Sequence, residues 1–187
     1  MSKVIFIAVL FSCAALLSNC SSPNRKVASD TAATRCNDST FIYKVCTDQK
    51  EIYRQAFADA QQHSELLLIT FGADWCPWCR ALHSTFQNSA FIEKLPAKTR
   101  IVEIGMYIGR TQTKNPTGGD VLRDLIEKSK QQPKVEGFPF LAVVNPLNDK
   151  IAFSNTGDLE ENTKETKGHS RAKLIEAITE MMNEVRK

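Results

Sequence analysis

The sequence predicts a small α/β sandwich, and three observations predict it. Residues 66–71 (Leu-Leu-Leu-Ile-Thr-Phe) are too short and too uniformly apolar for an amphipathic helix, so they read as a strand buried on both faces. Segments with apolar residues at helical spacing alternate with further strand-like runs. The chain then finishes on two strand-like runs joined by a turn and a last amphipathic helix. From the first strand onward the predicted order is β-α-β-α-β-β-α, without an internal repeat.

Each element has its own signal. Asp48 caps a helix whose buried face is Ile52, Tyr53, Ala56, Phe57 and Ala60. After the first strand comes a helix with Leu82 and Phe86 inward, then a short segment carrying Phe91, Ile92 and Leu95 before Pro96. Residues 100–105 (Arg-Ile-Val-Glu-Ile-Gly) read as the next parallel strand. A polar, glycine-bearing turn at 115–120 precedes a helix with Val121, Leu122, Leu125 and Ile126 on one side, and Asp120 is its expected N-cap. Residues 138–144 form a strand that opens with a proline, and 150–153 pair with it across the turn at 145–149. From Ser170 the chain is helical, with Leu174, Ile175, Ile178, Met181, Met182 and Val185 facing the sheet.

The chain has 187 residues, 42% of them hydrophobic, which is enough for one domain with a sizeable core and an extra segment at one end. Its formal net charge of +3 is spread over mixed charges with no basic block, so nucleic acid is not an expected partner. The uncharged apolar stretch after Lys3 falls short of the ~20 residues a permanent membrane helix needs and suits the core of a signal peptide. Leu17-Ser18-Asn19-Cys20 resembles a bacterial lipobox, with Asn19 standing where Gly, Ala or Ser is usual. The expected organisation is a lipoprotein-type signal peptide over 1–19, a polar tether over 20–35 and a domain over 36–187. The domain would then be exported, periplasmic or at the cell surface, and anchored to a bacterial membrane by lipid on Cys20. A secretory signal cut elsewhere, with Cys20 removed or idle, is the alternative.

Six cysteines are present. With Cys13 removed and Cys20 lipidated, Cys36, Cys46, Cys76 and Cys79 remain, and an even number in an exported chain favours disulfides. Three pairings are open, and Cys36 with Cys46 and Cys76 with Cys79 is the most direct. Zinc is disfavoured, because ribbon sites take two close cysteine pairs and export favours oxidation over metal capture. Cys36 and Cys46 read as a structural disulfide, or else as a second redox pair exchanging with Cys76.

The chemistry concentrates in Trp75-Cys76-Pro77-Trp78-Cys79, set between the first strand and a helix. At a helix N-terminus, unpaired N–H groups and the positive end of the macrodipole favour Cys76 as a thiolate. Cys79 lies one turn on, close enough to displace a substrate bound to Cys76. Pro77 fits the first helical turn, where its missing N–H costs nothing. Trp75 and Trp78 are expected to shield the sulfurs and to offer a flat apolar surface.

Residues 71–80 (Phe-Gly-Ala-Asp-Trp-Cys-Pro-Trp-Cys-Arg) resemble the thioredoxin active-site segment, closest to exported thioredoxin-like domains with an Ala-Asp-Trp-Cys-x-x-Cys motif. Gly137-Phe138-Pro139 resembles that family's second hallmark, a cis-proline facing the dithiol. The resemblance runs from about Asp48 to the C-terminus. It implies a thioredoxin fold, a central mixed sheet flanked by helices. It further implies Cys76 as attacking thiol, Cys79 as resolving thiol, and Pro139 shaping a substrate groove with Trp75, Pro77, Trp78 and Phe138. No cofactor is implied. Protein thiols and disulfides are the implied partners, with a membrane electron carrier as the candidate that recycles a tethered dithiol. Two positions depart from the pattern. Thr70 stands where thioredoxins carry a buried aspartate, which leaves Asp74 and His83 as candidates for the acid/base role. Phe138 stands where smaller residues are common. The missing acid favours a competing reading, a non-catalytic thioredoxin-fold interaction lipoprotein.

Overall fold

Asp48 caps the first helix: its side chain accepts the Lys50 N–H at 2.9 Å and starts helix α1 (Gln49–His63). Ser64, in the left-handed conformation, ends it. The computed structural model describes residues 37–106, 117–162 and 167–187. The leader, the tether with Cys20, Cys36 and most of the polar stretch before residue 117 lie outside the described residues.

Strand β1 (Leu66–Gly72) is buried along its whole length, as its uniform apolarity predicts. Helix α2 (Pro77–Phe86) follows, then a single turn α3 (Ser89–Ile92) capped by Asn88. Phe91 and Leu95 are buried there while Ile92 is exposed, because one turn of helix cannot present three neighbours to the same core. Strand β2 (Thr99–Gly105) lies parallel to β1, with Thr70 opposite Glu103 and Gly72 opposite Gly105. Helix α4 (Gly118–Ser129) then leads through an extended stretch to β3 (Phe140–Val144), antiparallel to β1, and β4 (Ile151–Asn155), antiparallel to β3. The sheet order is β2-β1-β3-β4. Helix α5 (Arg171–Arg186) closes the chain.

Two apolar layers cover the sheet. Leu66, Leu68, Leu141 and Val143 pack one face against α2, α3 and α5. Leu67, Ile69, Phe71 and Ile104 pack the other face against α1 and α4. Alternation along β1 and β2 thus directs Thr70, Gly72 and Glu103 to the α2 side.

Two expectations need correction. The N-cap of α4 is Thr117, and Asp120 sits inside the first turn, paired with Arg123 at 2.5 Å. The Thr117 hydroxyl serves α1 instead, donating to Asp48 at 2.6 Å and accepting the Gln49 N–H at 2.9 Å. The order β-α-β-α-β-β-α also omits a small hairpin, β5 (Glu160–Asn162) with β6 (Lys167–His169), inserted before α5 and packed on α2. Glu, Asn, Lys and Gly carry little strand propensity, so backbone pairing and packing make this hairpin, not its side-chain pattern.

Candidate active site

The end of β1 and the start of α2 hold the two cysteines. Cys76 is the N-cap of α2, and Pro77 occupies the first turn. The Cys76 sulfur accepts the Cys79 N–H at 3.3 Å, so a sulfur takes the role that an oxygen plays in most caps. It also lies 3.5 Å from the Phe138 carbonyl, to which its thiol donates. Both cysteines are free thiols, but Cys76 keeps 5% of its surface accessible and Cys79 none. Cys76 is thus the less deeply buried of the two.

Pro139 faces this pair across a cis peptide bond with Phe138. Its carbonyl accepts the hydroxyl of buried Thr156 at 2.6 Å, which pins the start of β3 to the end of β4. A cavity of about 130 Å³ opens beside it between Gly137, Phe138, Asn155 and Glu160. Trp78 is half-buried and meets the ring of His169 edge-on at 5.7 Å between centroids. Trp75 is 50% exposed, so of the two tryptophans expected to shield the sulfurs, Trp78 is the one packed on the cysteine cluster.

Neither acid/base candidate from the sequence stands alone. Asp74 Oδ1 accepts the Ile42 N–H at 2.7 Å, while its Oδ2 is buried with no partner among the described residues. His83 Nδ1 meets both carboxylate oxygens of Glu103, at 2.8 and 3.1 Å. Burial raises the Glu103 carboxyl above its usual range; His83 opposes that rise and the charge of Asp74 adds to it. Thr70 lies beside Glu103 in register, its hydroxyl buried and without a partner among the described residues.

The segment ahead of α1 contributes what sequence reasoning missed. Tyr43 is buried against Cys76 and Cys79. A Cβ on Gly72 would lie 2.2 Å from the Tyr43 hydroxyl and 2.9 Å from Cys79 Sγ, so the glycine leaves room for both groups to meet. Burial pushes the Cys79 thiol up to about 12, with Cys76 adding to the rise and the Tyr43 hydroxyl opposing it. The Tyr43 phenol is also raised, first by burial and then by the charge of Cys79 and Glu103. The only sequence signals were a short aromatic run at 41–43 and a lone acid inside the apolar 101–104 run.

Buried Gln49 holds this segment in place. Its Nε2 donates to the Lys44 and Thr47 carbonyls at 3.0 and 2.9 Å, and its Oε1 accepts the Gly105 N–H at 2.7 Å. Cys46 is disulfide-bonded, and since Cys76 and Cys79 are free, neither is its partner. The expected partner, Cys36, lies outside the described residues. Among the described residues no cluster of three or more His, Cys, Asp or Glu side chains is placed to hold a metal ion, and no helix is long and apolar enough to cross a membrane.

A four-stranded mixed sheet in this order, with helices on both faces and a cis-proline opposite a helix-capping cysteine, defines the thioredoxin fold. Three solved structures resemble the chain at low sequence identity. A disulphide isomerase from Xylella fastidiosa Temecula1 superposes with a TM-score of 0.50 at 21% identity, covering 73% of this chain and 92% of its own. A protein described as DsbH oxidoreductase gives 0.45 at 19% identity, over 70% of this chain and 81% of that one. A thioredoxin from Thermus thermophilus gives 0.46 at 16% identity, over 71% and 85%. No protein-family model matches the chain, and no curated protein does.

Proposed function

We propose that the protein is a thiol-disulfide oxidoreductase that works through Cys76 and Cys79. One observation carries this reading: two free thiols at a helix N-terminus, one keeping a little exposure and one none, with the Cys76 sulfur turned to the backbone before a cis-proline. The Cys76 thiolate attacks one sulfur of a substrate disulfide and expels the other as a thiolate. Cys79 then attacks Cys76, forms the Cys76–Cys79 disulfide and releases the second substrate sulfur. The substrate gains two electrons and the protein loses two; the same steps run backwards against a more reducing dithiol, which is oxidised to its disulfide as Cys76 and Cys79 are reduced, since ~30 mV of potential is worth ~1.4 kcal/mol. The exposed Trp75 and the cleft beside Pro139 suit a protein chain as substrate.

The same proposal puts the domain outside the cytoplasm, tethered by lipid on Cys20 and recycled by a membrane electron carrier. The apolar leader and the disulfide at Cys46 support an oxidising compartment. Insulin reduction with dithiothreitol tests the chemistry: wild type accelerates precipitation and Cys76→Ser abolishes the effect. Equal inertness of the two overturns the enzyme reading in favour of an interaction module. A diacyl mass on Cys20 in N-terminal mass spectrometry checks the anchor, and a cleaved, unlipidated N-terminus sinks it.

A further inference from the structure

A sealed thiol has to lose its proton before it can act as a nucleophile, and the anion it leaves sits in an apolar pocket. Cys79 is such a thiol, with none of its surface accessible. We propose that Tyr43 is a catalytic residue of the resolving step: its hydroxyl, packed beside Cys79 Sγ in the space left by Gly72, donates a hydrogen bond to the Cys79 thiolate as it forms, and the Glu103 carboxylate, on the same face of the sheet in register with Thr70, takes the proton. The inference rests on the assignment of Cys79 as the resolving thiol.

Four observations support it. The Tyr43 hydroxyl and Cys79 Sγ both crowd the point where a Gly72 side chain would begin, so phenol oxygen and sulfur share one pocket. Raised by burial and by neighbouring negative charge, the phenol keeps its proton and remains a donor. Glu103 leans towards protonation through burial, and His83, half-exposed behind it, leads to solvent. The segment is held by Gln49, by Asp74 on the Ile42 N–H and by the disulfide at Cys46, so the hydroxyl is preorganised. The ionisable groups whose charge acts on Tyr43 are Cys79, Glu103 and Cys76; those acting on Glu103 are His83, Asp74 and Lys44.

In the resolving step the Cys79 S–H bond breaks and its proton goes to Glu103. The sulfur's electron pair forms the bond to Cys76 Sγ. The bond between Cys76 and the substrate sulfur breaks, and that sulfur leaves with its pair as a thiolate, to be protonated by solvent.

The adduct of Cys76 with thionitrobenzoate isolates this step, because attack by Cys79 releases the coloured thionitrobenzoate anion. Tyr43→Phe, which keeps the ring, is expected to slow release about tenfold and to displace the rate–pH line about one unit towards higher pH, the worth of one hydrogen bond to a charged group. Attack of Cys76 on the symmetric nitrobenzoate disulfide, measured in a Cys79→Ser background, should change by less than about twofold. Unchanged release, or both steps slowed alike, overturns the proposal. Glu103→Gln should also slow release while sparing attack, and unchanged release in that variant overturns the proton route even if Tyr43→Phe fails to fold. Release no faster in wild type than in Cys79→Ser overturns the dithiol reading itself.

Discussion

Gly72 shows how much one missing side chain can decide. It ends β1 beside its register partner Gly105, and the space above it is filled by a phenol and a thiol from two different segments. A methyl group there has no free volume, and the rigid ring cannot swing aside without leaving the sulfur. Gly72→Ala is therefore expected to cost about 2–3 kcal/mol of stability, in the range of overpacked cores, and urea unfolding reads it directly. Thr70 marks the opposite case, a residue whose identity was noticed before its setting was known. Seen in the sheet, it stands next to Glu103, so a carboxylate is present on that face after all, one strand over.

At the scale of elements, the stretch 37–48 is the least regular part and the one that shapes the site most. It forms a single 3-10 turn, Asp38–Thr40, and otherwise runs without repetitive structure. Its backbone polar groups are met by side chains, not by a ladder: Asp38 within the stretch accepts the Cys46 N–H at 2.6 Å, Asp74 accepts that of Ile42, and Gln49 takes two carbonyls. Removing the Gln49 amide leaves the Lys44 carbonyl with only the Thr47 N–H and strips the Thr47 carbonyl and the Gly105 N–H of this partner in the interior. Gln49→Ala should lose about 2–4 kcal/mol in urea unfolding, well above the cost of a surface change. The hairpin β5–β6 is likewise a product of packing. It brings His169, buried and with neither ring nitrogen paired among the described residues, onto Trp78.

For the whole molecule, these buried groups set the pH range of stability of the reduced protein. Burial lowers the His169 imidazole below its usual 6.5. As pH falls through about 6.5 the unfolded chain therefore takes up that proton first, and stability declines until the folded value is passed. Cys79 works at the other end: its thiol is raised from 9.0 to about 12, so above pH 9 the unfolded chain loses the proton first and stability declines towards 12. Tyr43, raised from 10.0, adds to that loss at higher pH. Neither end contributes a slope near pH 7 to 8. Urea unfolding in reducing buffer should show a plateau there, with an alkaline limb of up to ~1.4 kcal/mol per pH unit per group. Cys79→Ser is expected to shallow the alkaline limb and His169→Phe the acid one; unchanged limbs would contradict the assignments.

The order of the main sheet strands and helices, the capping of α1 by Asp48, the buried helix faces and the positions of Cys76, Cys79 and Pro139 were legible in the sequence. Each rests on local information: apolar period, cap chemistry and a motif of fixed spacing. What the tertiary structure alone decided is the company those residues keep. Tyr43 is 36 residues before Cys79 and Glu103 is 24 after it in the chain, and no periodicity links either to the dithiol. Thr117 caps a helix that is not its own, and the hairpin carrying His169 has no apolar alternation to announce it. Contacts of this kind depend on register between β1 and β2 and on the path of an irregular segment. The sequence by itself determined the two sulfurs and the fold that presents them; only the folded chain decided which hydroxyl and which carboxylate surround the sealed one.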